Sequence, residues 1–293
     1  MKILITGATG FIGSRLIKYL VSENHKIVGL SRTTKNHEIK KISLTDKKKL
    51  NNFFKKNKFD VVIHLGSTLI ENEPSQIFEE NSISLINLLD CCRLNNIKKF
   101  IFTSTHMIYG TSHYLPIDEN HTINPKGNYA LSKLINENIC KMYSSSYSLN
   151  IIILRIASVY GEGQSKNLLI PTLMKNCIKN NTMMIHKYKN GYQLMDLIHV
   201  NDVCNAINLA CKSKIKFDIF NIASGYSMTA LNIAQIFTQI NNKYKIKNKI
   251  IRKNTNHFVY DVSKAKNKLK FKAQIRPSRQ IIEPWFNRFI NEQ

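Results

Sequence analysis

The sequence predicts an α/β protein: a doubly wound parallel sheet with a smaller C-terminal lobe. Three observations predict it. The chain opens with a strand, a glycine-rich turn and a helix in immediate succession. From there to about residue 163, short apolar runs alternate with helical ones, the pattern of parallel strands joined by crossover helices. Beyond residue 164 that alternation weakens. The sheet unit is therefore assigned to residues 1–163, with 196–223 expected to return to it. Residues 164–195 and 224–293 are assigned to the lobe.

Lys2–Thr6 is apolar enough for a buried strand. Gly7, Gly10 and Gly13 follow in the spacing G-x-x-G-x-x-G, then the amphipathic run Ser14–Val21. Glycines permit the tight turn and let backbone N–H groups approach a pyrophosphate, while the helix start adds its positive end. Lys26–Leu30 is a second strand, ending at Ser31 and Arg32. In dinucleotide-binding sheets this strand end faces the adenosine ribose. An acid there suits the 2′-hydroxyl of NAD and an arginine the 2′-phosphate of NADP. Arg32 therefore leans the reading toward NADP, with NAD as the alternative.

A helix over 46–56 leads to the strand Asp60–Leu65 and then Gly66 and Ser67. A long helix spans about 76–94. The strand Lys99–Phe102 runs into Thr103, Ser104 and Thr105. A turn-rich segment, 116–127, precedes a helix whose apolar side is read as Ile135, Ile139 and Met142. The strand Asn150–Arg155 ends near Ser158–Gly163. Later come a strand at 196–199, a helix over 201–211, a strand at 217–222 and a helix over 229–240. The stretch beyond is basic and irregular and ends in an aromatic helix, Pro284–Phe289.

Hydrophobic residues make up 43% of the 293, enough for a sizeable core. The N-terminus lacks the basic and apolar regions of a secretion signal. No apolar run approaches the ~18 residues of a membrane span. The expectation is a cytoplasmic protein with no membrane partner. Lys+Arg 43 against Asp+Glu 19 gives +24. Such an excess fits a polyanion partner or a compositional bias. The lysines are dispersed, not gathered in one stripe with aromatics, so we read bias, and nucleic acid is not the expected partner. The six cysteines form no C-x-x-C and no zinc spacing with histidine, and sit in apolar helical patterns. They read as buried thiols, and no metal is expected, His64, His106 and His199 included.

Tyr129 and Lys133 are four residues apart, so one helix face carries both. An ammonium beside a phenol is expected to lower its pKa, toward a group that exchanges protons with an alcohol oxygen. Alone, Y-x-x-x-K also fits a solvated lysine-rich helix.

In order and spacing, the fragments Thr6–Gly13, Asp60–Ser67, Phe102–Gly110, Tyr129-x-x-x-Lys133, Arg155–Gly161, Asp196–Asp202, Phe220–Gly225 and Asp261–Ala265 resemble one family. It is the extended short-chain dehydrogenase/reductases, the NAD-dependent epimerase/dehydratase group acting on nucleotide-linked sugars. The resemblance implies a Rossmann-like sheet and a substrate-binding lobe. It implies that Gly7, Gly10, Phe11, Ile12 and Gly13 cradle the cofactor pyrophosphate, with Leu65, Gly66 and Ser67 along its adenosine and ribose side. Tyr129 would be the acid/base, Lys133 would hold the nicotinamide ribose, and Thr105 would hydrogen-bond the reacting oxygen. A homodimer through a bundle that includes the Tyr129 helix is also implied.

Departures from the family pattern bear on the reaction. Its 4,6-dehydratases carry an acidic pair where this chain has His106 and Met107, which argues against dehydration. Ser43 stands for an aspartate that contacts adenine, Ser158 for an asparagine that touches the substrate, and Met195 for an arginine beside its diphosphate. Asn167, Lys189, Arg279 and above all Arg252 are candidates to take over that work. The expected activity is reduction of a 4-ketosugar or C4 epimerisation of a nucleotide sugar. The alternatives are a 4,6-dehydratase, or a non-catalytic cofactor-binding or RNA-associated protein. Against the last, such a protein has no need of Thr105, Tyr129 and Lys133 together.

Overall fold

The computed structural model describes residues 1–34, 39–69 and 73–291. It opens with β1 (Lys2–Thr6), α1 (Phe11–Ser22), β2 (Lys26–Ser31), β3 (Ile39–Lys41), α2 (Lys47–Lys56) and β4 (Val61–His64). Next come α3 (Pro74–Phe78) and α4 (Ser84–Leu94), joined by a π-helical turn, Glu79–Ile83. β5 (Lys99–Thr105) runs into a 3-10 turn, His106–Tyr109, followed by α5 (Asn128–Tyr147), β6 (Ile151–Ile156) and β7 (Ser158–Tyr160). The chain continues through α6 (Leu169–Asn180), β8 (Thr182–Tyr188), β9 (Leu194–His199), α7 (Val200–Lys212) and β10 (Phe217–Ile222). It ends with β11 (Ser227–Thr229), α8 (Ala230–Ile240), β12 (Lys245–Ile251), a second π-helical turn (Ala265–Leu269) and α9 (Arg279–Asn291).

Seven strands form one sheet in the order β10-β6-β5-β4-β1-β2-β3, every neighbour parallel. Parallel strands buried on both faces must be apolar throughout. Ile3 and Ile5 pack with Leu16, Leu20, Val203 and Ile207 on the α1/α7 side, and Leu4, one residue between them, packs with Leu50, Phe54 and Leu88 on the other. The chain leaves β1 first to β2 and then to β4. That reversal opens a crevice at the carboxyl ends of β1 and β4, where ligands of such sheets bind.

A separate core of Leu173, Met174, Met183, Ile185, Phe237, Trp285 and Phe286 builds the lobe. Two carboxylates of the Asp196–Asp202 stretch tie chain segments together. Asp196 accepts from the backbone N–H groups of Ser224 (2.7 Å) and Gly225 (2.9 Å), and Asp202 from those of Gln274 (3.0 Å) and Ile275 (2.9 Å). All six cysteines are buried. Among the described residues, no helix is long and apolar enough to cross a membrane.

Three expectations are corrected. β9, expected to return to the large sheet, lies with β7 and β11 in a three-stranded sheet, and only α7 and β10 rejoin the first. The basic stretch after residue 240 contains a strand, β12, which pairs in parallel with β8. Its exposed lysines at 245, 247 and 249 alternate with Ile246, Asn248 and an exposed Ile250, so the apolar side is broken and did not announce a strand. The inward side of α5 carries Ala130, Ser132, Lys133, Asn136, Glu137, Cys140 and Tyr143, whereas Met142 is exposed and Ile135 and Ile139 are half-buried. Polar groups that find partners can be buried, so apolarity did not mark the inward side.

Candidate active site

The glycine turn is shaped for a ligand that approaches backbone. Gly7 has φ +69°, and a Cβ there would lie 2.7 Å from the Gly66 nitrogen. A Cβ on Gly13 would lie 2.2 Å from the Gly7 carbonyl oxygen. Neither position admits a side chain. Gly10 precedes α1 with no side-chain cap, so the first amides of that helix have no side-chain acceptor at this end.

Two clefts meet at this turn. One, of about 400 Å³, is lined by Gly7, Gly10, Ser31, Arg32, Ser43, Leu65, Gly66, Ser67 and Glu80. The other, of about 380 Å³, is lined by Gly7, Gly10, Phe11, Ile12, Gly13, Leu65, Ser67, Ser104, Thr105, Tyr129 and Lys133. Gly7, Gly10, Leu65 and Ser67 line both, making one groove across the strand ends. A groove across strand ends with a glycine turn at its middle has the form that suits a dinucleotide's pyrophosphate.

Thr105 is buried at the end of β5, and its hydroxyl caps the following turn by accepting from the Met107 N–H at 3.2 Å. Lys133 is buried, and its ammonium donates to the Thr103 carbonyl at 2.9 Å. It stands 5.8 Å from the centroid of the Tyr129 ring. The expected lowering of the phenol's pKa is overturned. Burial pushes Tyr129 up to about 12, with a hydrogen bond to Ser67 working the other way. Burial also brings Lys133 down to about 8, so it keeps its charge at neutral pH.

The sequence reading missed Asn81, buried in the π-helical turn. Its Oδ1 accepts from the Thr68 N–H at 2.8 Å and the Ser67 hydroxyl at 3.2 Å. Its Nδ2 donates to the Thr68 carbonyl at 3.2 Å and to Ser132 Oγ at 3.0 Å. Asn81 thus fixes the Ser67 loop to the helix bearing Tyr129. The wider π turn also leaves its carbonyl free for Asn136 Nδ2, at 3.0 Å. An asparagine inside a helix was a weak sign of this, and the turn itself is not legible.

Arg32 was expected to meet a 2′-phosphate. Its guanidinium is bonded instead to Glu80, across the same cleft. The substrate-side candidates are dispersed. Arg252 lines a shallow cleft with Lys187, Tyr188, Lys189 and Ile250, and Asn167 is exposed in the loop before α6. Arg279 is engaged with Glu283 on α9. None of the four lines the cleft of Thr105, Tyr129 and Lys133. His106 and Ser158 do meet, with Nε2 3.3 Å from Oγ, and the Tyr260 hydroxyl lies 2.7 Å from His106 Nδ1.

The NAD dependent epimerase/dehydratase family matches residues 3–223. The chain belongs to that family. A provisionally named UDP-glucose 4-epimerase of Methanocaldococcus jannaschii is 34% identical to this family member over 243 residues, 76% of this chain and 77% of that one. A dTDP-D-glucose 4,6-dehydratase of Dictyostelium discoideum is 29% identical over 265 residues, covering 80% and 61%. Among solved structures, a UDP-N-acetylglucosamine 4-epimerase from Methanobrevibacter ruminantium, in complex with UDP-N-acetylmuramic acid, superposes with TM-score 0.88 at 25% identity. That match covers 100% of this chain and 99% of the other. The family member is accordingly an enzyme of the extended short-chain dehydrogenase/reductase type that uses a nicotinamide dinucleotide.

A buried and a half-buried histidine, His64 and His106, give it an acid limit. Burial holds His64 down at about 3, with Lys133 adding to the effect, and holds His106 down at about 4. Both folded values lie below the ordinary ~6.5, so the unfolded chain binds protons first. Stability present above pH ~6.5 is therefore lost as pH falls toward 4, by about 1.4 kcal/mol per unit for each ring. Thermal melts across pH 7 to 4 should fall steeply, and a flat profile would contradict both placements.

Proposed function

We propose that the protein interconverts the C4 epimers of a nucleotide-activated hexose and keeps one NAD through the cycle. The observation that carries this is the convergence of Thr105, Tyr129 and Lys133 in one cleft with the glycine turn. The groove fits the cofactor, with Gly7–Gly13 holding the pyrophosphate and Lys133 within reach of the nicotinamide ribose. When bound there, NAD would supply a reversible acceptor for the hydride of the sugar's C4. Tyr129 moves the hydroxyl proton. It takes that proton as the phenolate in the oxidative half and returns it as the phenol in the reductive half, and the charge on Lys133 favours the phenolate that starts the cycle. Thr105 holds the reacting oxygen. The relatives named as 4-epimerases support a UDP-linked sugar.

Against the dehydratase alternative stand His106 and Met107. The ring is neutral and engaged at both nitrogens, and a thioether transfers no proton. For the cofactor, the Glu80–Arg32 pair favours NAD over NADP. A 2′-phosphate would have to displace the Glu80 carboxylate from Arg32 and meet its charge nearby. The exposed apolar residues Leu94, Leu131, Met142 and Tyr147 on α4 and α5 favour a homodimer through these helices.

The protein should convert UDP-glucose to UDP-galactose with no added cofactor and release NAD on denaturation. Stoichiometric use of NADPH with a 4-ketosugar would make it a reductase instead. Glu80→Gln should free Arg32 and raise NADPH affinity about tenfold with little change for NADH. Titration by nucleotide fluorescence checks this, and unchanged NADPH affinity would remove the pair's role.

A further inference from the structure

The proposed cycle starts from the Tyr129 phenolate, yet burial holds that phenol up at about 12. The charge on Lys133 is one source of help. The hydrogen bonds around Ser67 supply a second.

Ser67 lines both clefts of the groove and is hydrogen-bonded to the Tyr129 phenol. Its hydroxyl also lies 3.2 Å from Asn81 Oδ1 and 3.5 Å from the Thr68 carbonyl. Donor and acceptor roles fix the rest of the circuit. The Thr68 N–H can only donate, so the Asn81 atom 2.8 Å from it is the oxygen. Asn81 Nδ2 then donates to the Thr68 carbonyl and to Ser132 Oγ. Ser132 accepts there, so its own proton goes to the Tyr129 carbonyl, at 2.8 Å. The Ser67 loop is thereby tied to α5 one turn beyond Tyr129.

The Ser67 proton is the member of this circuit that can turn at no cost to its neighbours. Asn81 Oδ1 already accepts from the Thr68 N–H, and the Thr68 carbonyl already accepts from Asn81 Nδ2. Neither is left unsatisfied when the serine proton turns away. While Tyr129 is a phenol, it donates to Ser67 Oγ and Ser67 donates to Asn81. Once Tyr129 is a phenolate, the serine proton points at the phenolate oxygen, in a charge-assisted bond roughly twice as strong as a neutral one. The O–H bond of Ser67 stays intact throughout, and only its direction changes. Lys133, 5.8 Å from the ring centroid, contributes charge; Ser67 contributes a directed donor.

We propose that Ser67 is a positioning residue for the proton transfer: its hydroxyl turns from Asn81 to the Tyr129 oxygen whenever the phenol is ionised, and so favours the phenolate from which the cycle starts. This is a task beyond the cofactor contact expected of Ser67 from the family resemblance. The inference rests on the proposed C4 chemistry.

Two measurements on the NAD-loaded protein test it. By NMR, the Tyr129 ring protons should show a contact with the Ser67 β-protons. Its absence would overturn the proposal even if no nucleotide sugar is turned over, so its failure is distinct from that of the proposed activity. In kinetics with UDP-glucose, Ser67→Ala should lower kcat about tenfold at each pH below the phenol's midpoint, displacing the rising limb of the pH profile upward by about one unit. KM and the NAD retained after gel filtration should stay within about twofold of the wild type. Ser67→Thr keeps the hydroxyl and should restore the wild-type limb. A limb that does not move in Ser67→Ala, or that moves equally in Ser67→Thr, would overturn the proposal. So would a fall in activity that tracks loss of NAD, which would leave Ser67 as a cofactor contact only.

Discussion

Tyr129→Phe should lose about 10²–10⁴-fold in turnover while the protein still binds its dinucleotide. The phenol lines the cleft with Thr105 and Lys133, and the substitution removes its one exchangeable proton without changing the ring. The cofactor's pyrophosphate end is held elsewhere, by the backbone of the glycine turn, so occupancy should persist. Turnover with UDP-glucose, read beside the NAD retained after gel filtration, separates the two effects. Near-full activity would sink the catalytic assignment. The pH profile adds a second reading. Lys133 is brought down to about 8, so its ammonium is present below that pH and lost above it. A phenolate formed beside a neutral amine lacks its counter-charge, so the rate should fall as pH rises beyond about 8. A rate still rising past pH 9 would mean that the phenol, and not the amine, sets the limit.

What the sequence disclosed follows from range. β1, β4, β5 and β6 are short apolar runs, and a strand buried on both faces has no choice but to be apolar. The glycines at 7 and 13 were legible because steric demand there excludes every other residue. Groups that act across the fold were not legible. Glu80 pairs with Arg32 from 48 positions away, a partner that the reading of Arg32 as a phosphate ligand did not anticipate. Tyr260 meets His106 from 154 positions away. The Tyr129–Lys133 spacing located the pair but misjudged its electrostatics. Spacing reports which groups share a helix face, whereas the phenol's pKa is dominated by the burial that the sheet and the Ser67 loop impose. β12 escaped because its pairing with β8, not its own composition, makes it a strand.

Glu137→Leu should cost about 3–5 kcal/mol of stability, the penalty for leaving a buried charge without its partner. Arg155 on β6 meets Glu137 on α5 through two donors, Nε to Oε1 at 3.1 Å and Nη2 to Oε2 at 2.8 Å, with both side chains under 5% exposed (3% and 4%). Its Nη1 donates to the Tyr109 hydroxyl and the Glu119 carbonyl, each at 3.0 Å, and the Tyr109 hydroxyl donates to Asn221 Oδ1 at 2.6 Å. The network joins the active-site helix to β6, β10 and the turn after Thr105. With the carboxylate gone, the guanidinium cannot ionise away its cost, because arginine stays charged. The double variant Glu137→Leu/Arg155→Met should recover much of the loss, since both charges then leave together. Urea unfolding of the three proteins checks this. Equal destabilisation in the single and double variants would mean that packing, not charge, governs the site. Glu137 also lies one turn beyond Lys133, and its carboxylate supports the ammonium. The near-isosteric Glu137→Gln should therefore lower the Lys133 pKa below about 8 and move the alkaline fall in activity to lower pH. An unmoved alkaline limb in a folded Glu137→Gln protein would separate the network's structural role from any influence on the catalytic amine.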